Sequence, residues 1–91
     1  MNTARKLSIP SHVMARQVGD EMVILDLKNG TYFGLDAVGT RIWQLLSEGL
    51  SLAEICNTME VEFDVTINVL QADLQGLLKE LEDRGLVVTS T

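Results

Sequence analysis

Side chains that could carry out catalysis or bind a metal are few in this chain of 91 residues, which has a single histidine, His12, and a single cysteine, Cys56. Nucleophilic catalysis requires a nucleophile, a base and an orienting group that converge on one point. A metal site requires several ligands at characteristic spacing, and neither pattern occurs here. Nor do Gly30, Gly34 and Gly39 form a phosphate-binding loop. We therefore expect His12 to face solvent or to cap a backbone group, Cys56 to be buried, and the protein to be no enzyme, with no catalytic residue, metal or cofactor.

The composition indicates one folded domain, because 46% of the residues are hydrophobic and only one is proline. No apolar run approaches the roughly 18 residues that a membrane span requires, and the N-terminus lacks the apolar region of a secretory signal. We expect a cytoplasmic protein without a membrane partner. The net charge of −6 argues against a nucleic-acid partner, since neutralising phosphates requires clustered Lys and Arg.

The stretch from Met22 to Trp43 predicts a hairpin that leads directly into a helix. Asn29-Gly30 is typical of a two-residue type I′ turn, which needs positive φ at both central positions. That turn would give the strand pairs Lys28 with Thr31, Leu27 with Tyr32, and Asp26 with Phe33. A first strand over residues 12–18 and the strands over residues 22–28 and 31–34 then form an antiparallel meander.

Three helices are predicted after the meander. Asp36 is the expected N-cap of the first, which runs to Ser47. Ser51 and Glu54 form a capping box that opens a second helix ending near residue 59. Asp64 is the expected N-cap of a third helix over residues 65–84, closed by Gly85.

These elements predict an α+β fold of the winged helix–turn–helix type, with a three-stranded antiparallel β-meander followed by three α-helices. The domain covers residues 12–88 and follows a flexible N-terminal arm, residues 1–11. This fold class raises the alternative of a DNA-binding regulator. The third helix would then read the DNA, yet it has no Lys or Arg before Lys79, so the charges oppose that alternative.

The third strand is last in the meander, so its outer edge has unpaired backbone groups that are either protected or used. Its residues are Thr31, Tyr32, Phe33 and Gly34, and none is charged. For Tyr32 we favour core packing over ligand contact, with Phe33 covering the back face of the sheet.

One flank of the third helix forms a second surface. It holds Val69, Asp73 and Gly76, with Leu77 at its boundary. Gly76 costs about 1 kcal/mol relative to Ala in mid-helix, so close approach of another backbone would explain it. An edge strand beside such a flank makes a groove suited to β-augmentation by an extended peptide. A homodimer formed through both surfaces, or an N-terminal arm that fills the groove, are the alternatives.

Several motifs resemble those of PqqD-like proteins. They are L-D-L-x-x-G-x-Y-F-x-L-D-x-x-G-x-x-I-W over residues 25–43, L-L-x-x-G over residues 45–49, S-L-A-E-I over residues 51–55, and D-L-x-x-L-L-x-x-L-x-x-x-G-L-V over residues 73–87. The resemblance implies a non-catalytic chaperone that binds the leader of a ribosomally made precursor peptide. The leader would be added as a strand beside the third strand, flanked by the third helix.

Residue by residue, the resemblance implies strand contacts from Thr31, Tyr32, Phe33 and Gly34, and helix contacts from Val69, Asp73, Gly76 and Leu77, with Leu70 at the groove floor. It implies that Asp73 pairs with a basic or hydroxyl group of the leader. The G-x-Y-F hairpin favours a lasso-peptide or related pathway over pyrroloquinoline quinone biosynthesis. The second partner would be a modifying enzyme or leader peptidase, either transglutaminase-like or a radical enzyme. An exposed strand edge and a loose arm also permit a homodimer by strand exchange.

Overall fold

The structure, a computed structural model, describes residues 6–64 and 66–89. A three-stranded antiparallel sheet is followed by three helices, which confirms the predicted α+β fold. Two further short strands pair near the two ends of the described chain. In chain order the elements are β1 (Leu7–Ser8), β2 (Val13–Val18), β3 (Glu21–Asp26), β4 (Thr31–Leu35), α1 (Ala37–Ser47), α2 (Leu52–Phe63), α3 (Ile67–Asp83) and β5 (Val88–Thr89).

The larger sheet has the strand order β2-β3-β4, so β4 lies at one edge. Its side chains alternate between two faces, as extended backbone requires. Met22 and Ile24 of β3 are buried against the helices, as is Leu35, which pairs with Met22 across the strands. The helices therefore cover one face of the sheet.

The hairpin between β3 and β4 differs from the predicted two-residue turn. Asp26 pairs with Thr31, so residues 27–30 form a four-residue loop and the register is shifted by two residues from the predicted one. Gly30 alone in this loop has positive φ, at 69°. The Asp26 carboxylate explains the difference, because its Oδ1 accepts hydrogen bonds from the backbone N–H groups of Lys28 at 3.0 Å and Asn29 at 3.1 Å. This side chain satisfies backbone donors that a tight turn would leave to solvent.

The helix starts follow the predicted chemistry, with one exception. Asp36 caps α1 by accepting from the backbone N–H of Gly39 at 2.8 Å, and Ser51 forms the predicted capping box with Glu54. The prediction that Asp64 caps α3 is wrong. Asp64 ends α2 in the left-handed conformation, with φ 50°, and Thr66 occupies the N-cap position of α3. Helix α2 consequently runs to Phe63, beyond the predicted end near residue 59.

The hydrophobic core lies between the sheet and the three helices. Its largest fully buried side chains come from β3, all three helices and Val87, which precedes β5, and Cys56 of α2 is buried among them. Arg41 of α1 joins α2 through two charge-assisted hydrogen bonds, each 2.8 Å, from its Nε and Nη2 to the carboxylate oxygens of Glu62.

The described part of the N-terminal segment is ordered. Leu7 and Ser8 form β1, which pairs with β5 in an antiparallel ladder, and Leu7 is buried. These two residues belong to the segment 1–11 that was predicted as a flexible arm, and Leu7 packs into the core. Residues 1–5 of that arm lie outside the described residues. Within the described ranges, no helix has the length and apolar character to cross a bilayer.

Candidate functional site

The single histidine and the single cysteine, His12 and Cys56, are the side chains best suited to catalysis or metal binding. Neither lies in a site of that kind within the described residues. His12 Nε2 is 3.9 Å from Asp26 Oδ1, next to the hairpin loop. Burial raises the pKa of the Cys56 thiol, which disfavours the reactive thiolate. Across residues 6–64 and 66–89, no group of three or more His, Cys, Asp or Glu side chains could hold a metal ion.

A groove of about 400 Å³ lies between β4 and α3. We call it the β4–α3 groove. One wall is the edge strand and the other is a flank of α3, while the first turns of α1 form the floor. Its lining consists of Phe33, Gly34, Leu35, Asp36, Val38, Gly39, Ile42, Asp73 and Leu77.

The strand wall of the groove has free hydrogen-bonding capacity. Within the described residues, β4 pairs with β3 and with no other strand. Its outer edge, residues 31–35, therefore presents backbone donors and acceptors to an added strand.

The floor depends on a close approach between β4 and α1. A Cβ at Gly39 would lie 3.2 Å from Leu35 Cδ2 and 3.4 Å from Asp36 Oδ1. Glycine therefore lets the first turn of α1 sit against the end of the strand. Val38 and Ile42 then offer apolar surface to the groove.

The helical wall combines apolar and acidic groups. Leu77 is half-buried, and Asp73 lies one turn earlier on the same face. Asp73 and Asp36 make this end of the groove acidic, and Asp36 is also engaged in capping α1. An extended apolar segment with a basic group would match these charges.

The far end of α3 is tied to β4 by an aromatic contact. The guanidinium of Arg84 lies over the ring of Phe33, with 4.8 Å between Cζ and the ring centroid. Arg84 also contacts Glu80, with 3.4 Å between Nη2 and Oε1. The contact with Phe33 joins the C-terminal end of α3 to β4.

The predicted site residues divide into three groups. Phe33, Gly34, Asp73 and Leu77 line the groove. Leu70 is buried in the core beneath and does not line it. The third group is exposed on the same two elements but does not line the groove. It consists of Thr31 and Tyr32 of β4, and Val69 and Gly76 of α3.

Tyr32 corrects one expectation. Core packing was expected, but the residue is 74% exposed. The register explains why, because Phe33 and Leu35 face the helices and place Tyr32 on the opposite face of the sheet.

The groove floor was not identified from the sequence. Asp36 was predicted only as a helix N-cap, and no site role was predicted for Leu35, Val38, Gly39 or Ile42. A usable signal was the glycine in the first turn of a helix that follows a strand without a linker, because it indicates close approach of the two elements.

Comparisons with known proteins concern the family and the fold of the chain. A family model described as coenzyme PQQ synthesis protein D (PqqD) matches residues 21–87. No curated protein gives a significant match. The chain is 39% identical to the protein in a solved structure described as "TbiB1 in Complex with the TbiA(beta) Leader Peptide", with a TM-score of 0.86, and the match covers 92% of this chain and 98% of the other.

A second solved structure shares the fold at lower sequence identity. It is described as "Lasso peptide synthetase B1 complexed with the leader peptide". The identity is 24%, the TM-score is 0.83, and the match covers 91% of this chain and 98% of the other.

Proposed function

Because the chain belongs to the PqqD family, we propose that it is a non-catalytic recognition element that binds the leader of a ribosomally made precursor peptide. The leader is held by β-augmentation, as a strand added to the outer edge of β4. The protein then presents the precursor to the enzyme that modifies or cleaves it.

The observation that carries this proposal is the edge of β4 beside the β4–α3 groove. Main-chain hydrogen bonds along residues 31–35 give affinity to any extended peptide, whereas the groove selects its side chains. The relative at 39% identity was solved in complex with a leader peptide, which supports this type of ligand.

The site residues follow from the two walls of the groove. Phe33 and Gly34 on the strand and Asp73 and Leu77 on the helix contact the leader. Thr31 and Tyr32 continue the strand contacts, Val69 and Gly76 contact it along α3, and Leu70 supports the helical wall from below. Asp73 pairs with a basic or hydroxyl group of the leader.

The pathway and partners are further parts of the proposal. The G-x-Y-F hairpin favours a lasso-peptide or related modified-peptide pathway. The leader peptide bound to the 39% identical relative supports a leader peptide as the ligand. The enzyme served is a transglutaminase-like leader peptidase, or a radical enzyme in other pathways, and the complex acts in the cytoplasm.

DNA binding is not favoured by the charges of the described residues. Each basic residue described in the helices and at their caps has an acidic partner, in the pairs Arg41 with Glu62, Lys79 with Asp83, and Arg84 with Glu80. Strand exchange through β4 would instead give a homodimer, and its stability would then depend on protein concentration.

The direct test is an NMR titration of the isotope-labelled protein with the TbiA(beta) leader peptide. We expect shift changes in the backbone amides of β4 and of the α3 flank that contains Asp73 and Leu77. A peptide of the same composition in scrambled order is the control. Absence of shifts with the leader, or equal shifts with both peptides, would contradict the proposal.

A further inference from the structure

The face of the sheet turned away from the helices carries an unexpected amount of apolar surface. Met14, Leu25 and Tyr32 form one cross-strand row on this outer face, because Met14 pairs with Leu25 and Leu25 with Tyr32. Met14 is 53% exposed and Tyr32 is 74% exposed. This row reaches the β4 edge at Tyr32.

Gly34 lies in the neighbouring row, where it pairs with Val23. Glycine weakens a strand and provides no side chain for packing. The fold itself does not require it, because its φ lies outside the left-handed region and a Cβ there would meet no atom within 4 Å. Gly34 therefore leaves an open place on the outer face, beside Tyr32.

A shallow cavity of about 350 Å³ adjoins this open place. Val18 and Val23 supply apolar parts of its lining, and Gly34 forms part of it. Glu21 and Asp36 also belong to this lining. The sheet is therefore concave and partly apolar at the edge to which a guest strand would be added.

A strand added to β4 must present its side chains alternately to both faces of the sheet. Those that face the helices enter the β4–α3 groove. The remaining guest side chains lie on the outer face. The side chain of the guest residue paired with Gly34 is next to the open place that Gly34 leaves. A large cross-strand side chain can cover a glycine at a sheet edge and restore the missing packing.

We propose that the outer face is a second recognition surface for the same guest peptide. The guest residue opposite Gly34 carries a large apolar side chain that covers Gly34 and packs against Tyr32 and Val23. This inference rests on the proposed function and adds to it that the leader is read on both faces of the sheet.

The test uses the TbiA(beta) leader peptide and a series of its single-alanine variants. We expect alanine to reduce affinity at two sets of leader positions, each with a period of two residues. One set faces the groove and the other faces the outer side of the sheet. Tyr32→Ser should weaken leader binding roughly tenfold. Alanine at the large outward-facing leader residue should then have no further effect on affinity, whereas alanine at the groove-facing leader residues should still reduce it. Val61→Ser is the matched control, because Val61 lies on α2 and is 84% exposed.

Gly34→Val provides an independent variant, since a β-branched residue suits an extended strand and the added Cβ meets nothing. It should lower the affinity for the unmodified leader roughly tenfold. Replacing the leader residue paired with position 34 by alanine should restore much of that affinity. Thermal unfolding of each variant checks that the fold is retained.

The outcomes separate the two proposals. If the unaltered protein does not bind the leader, the proposed function fails. If it binds, but Tyr32→Ser, Gly34→Val and the outward alanine variants all bind as tightly as the originals, the outer-face inference is overturned and the groove proposal stands.

Discussion

The guanidinium of Arg84 lies over the ring of Phe33, with 4.8 Å between its Cζ and the ring centroid. The contact joins the end of α3 to the edge strand, across the β4–α3 groove. We therefore expect the contact to contribute both to the stability of the fold and to the position of α3 beside the groove.

Replacing Arg84 by alanine tests this coupling. An exposed cation–π contact contributes about 0.5–1 kcal/mol, so we expect the free energy of unfolding to fall by about that amount. Chemical denaturation measures it. Arg84→Lys keeps the charge but loses the planar group. We expect its free energy of unfolding to lie between those of the unaltered protein and Arg84→Ala. A free energy unchanged by Arg84→Ala would show that the contact does not join the walls.

Replacing Leu77 by glutamate should disable the groove. The change puts a charge on its apolar helical wall, where the guest would have to desolvate it. We expect the affinity for the leader to fall by at least about tenfold, or ~1.4 kcal/mol. Val61→Glu makes the same kind of change on α2, outside the groove, and should leave the affinity unchanged. Calorimetric titration measures both, and equal effects would place the binding site elsewhere.

N-methylation of the leader tests the added strand directly. A strand at a sheet edge turns alternate N–H groups toward its neighbour, so methyl groups there remove hydrogen bonds and clash. We expect one alternating set of N-methyl groups to abolish binding, while the other set leaves most of it. Two equally tolerated sets would exclude β-augmentation.

Asp26 should make the hairpin sensitive to acid. Burial raises the pKa of Asp26, but hydrogen bonds from Asn29 and Lys28 outweigh it and hold the pKa below its ordinary value. As the pH falls, Asp26 therefore becomes protonated in the unfolded chain before it does so in the folded one. The contribution of its carboxylate to the stability of the fold is complete above the ordinary pKa and is lost as the pH falls through the lower pKa of the folded state.

Asp26→Asn should remove that part of the pH dependence below about pH 4. Denaturation at a series of pH values measures the difference between the two proteins. Other carboxylates contribute in both, since the pKa values of Glu54 and Glu62 are also lowered by their hydrogen bonds. Parallel curves for the two proteins would show that the Asp26 charge does not stabilise the loop.

Ser51→Ala should separate stability from binding. It removes the hydroxyl that accepts from the backbone N–H of Glu54, and loss of such a cap costs about 1 kcal/mol. The residue is not part of the groove lining. We expect a lower midpoint of thermal unfolding and an unchanged affinity for the leader, measured well below that midpoint. A matching loss of affinity would indicate that α2 takes part in binding.

The features predicted correctly are those decided by a few neighbouring residues. The Ser51–Glu54 capping box and the Asp36 cap each lie within one helical turn. The hairpin register was wrong because Asp26 and Asn29-Gly30 favour different loops, and the carboxylate of Asp26 decides between them. Asp64 was misassigned since the same residue type caps helix starts and tolerates the left-handed conformation at a helix end.

The remaining differences come from tertiary packing. Alternation along β4 shows that Tyr32 and Phe33 face opposite ways, but the placement of the helices decides which one is covered. The groove floor around Val38 and Gly39 depends on how closely α1 approaches β4, which no local pattern encodes. Pairing of β1 with β5 joins segments at opposite ends of the sequence.

That last pairing has a topological consequence. Leu7 and Thr89 are paired in an antiparallel ladder. A short linker could therefore join them covalently and close the backbone into a ring. The chain could then be opened instead at Gly49, between α1 and α2, without cutting a helix or strand. Such a circular permutant would begin and end at that loop, so a fused reporter could be attached there while the edge of β4 keeps its surroundings.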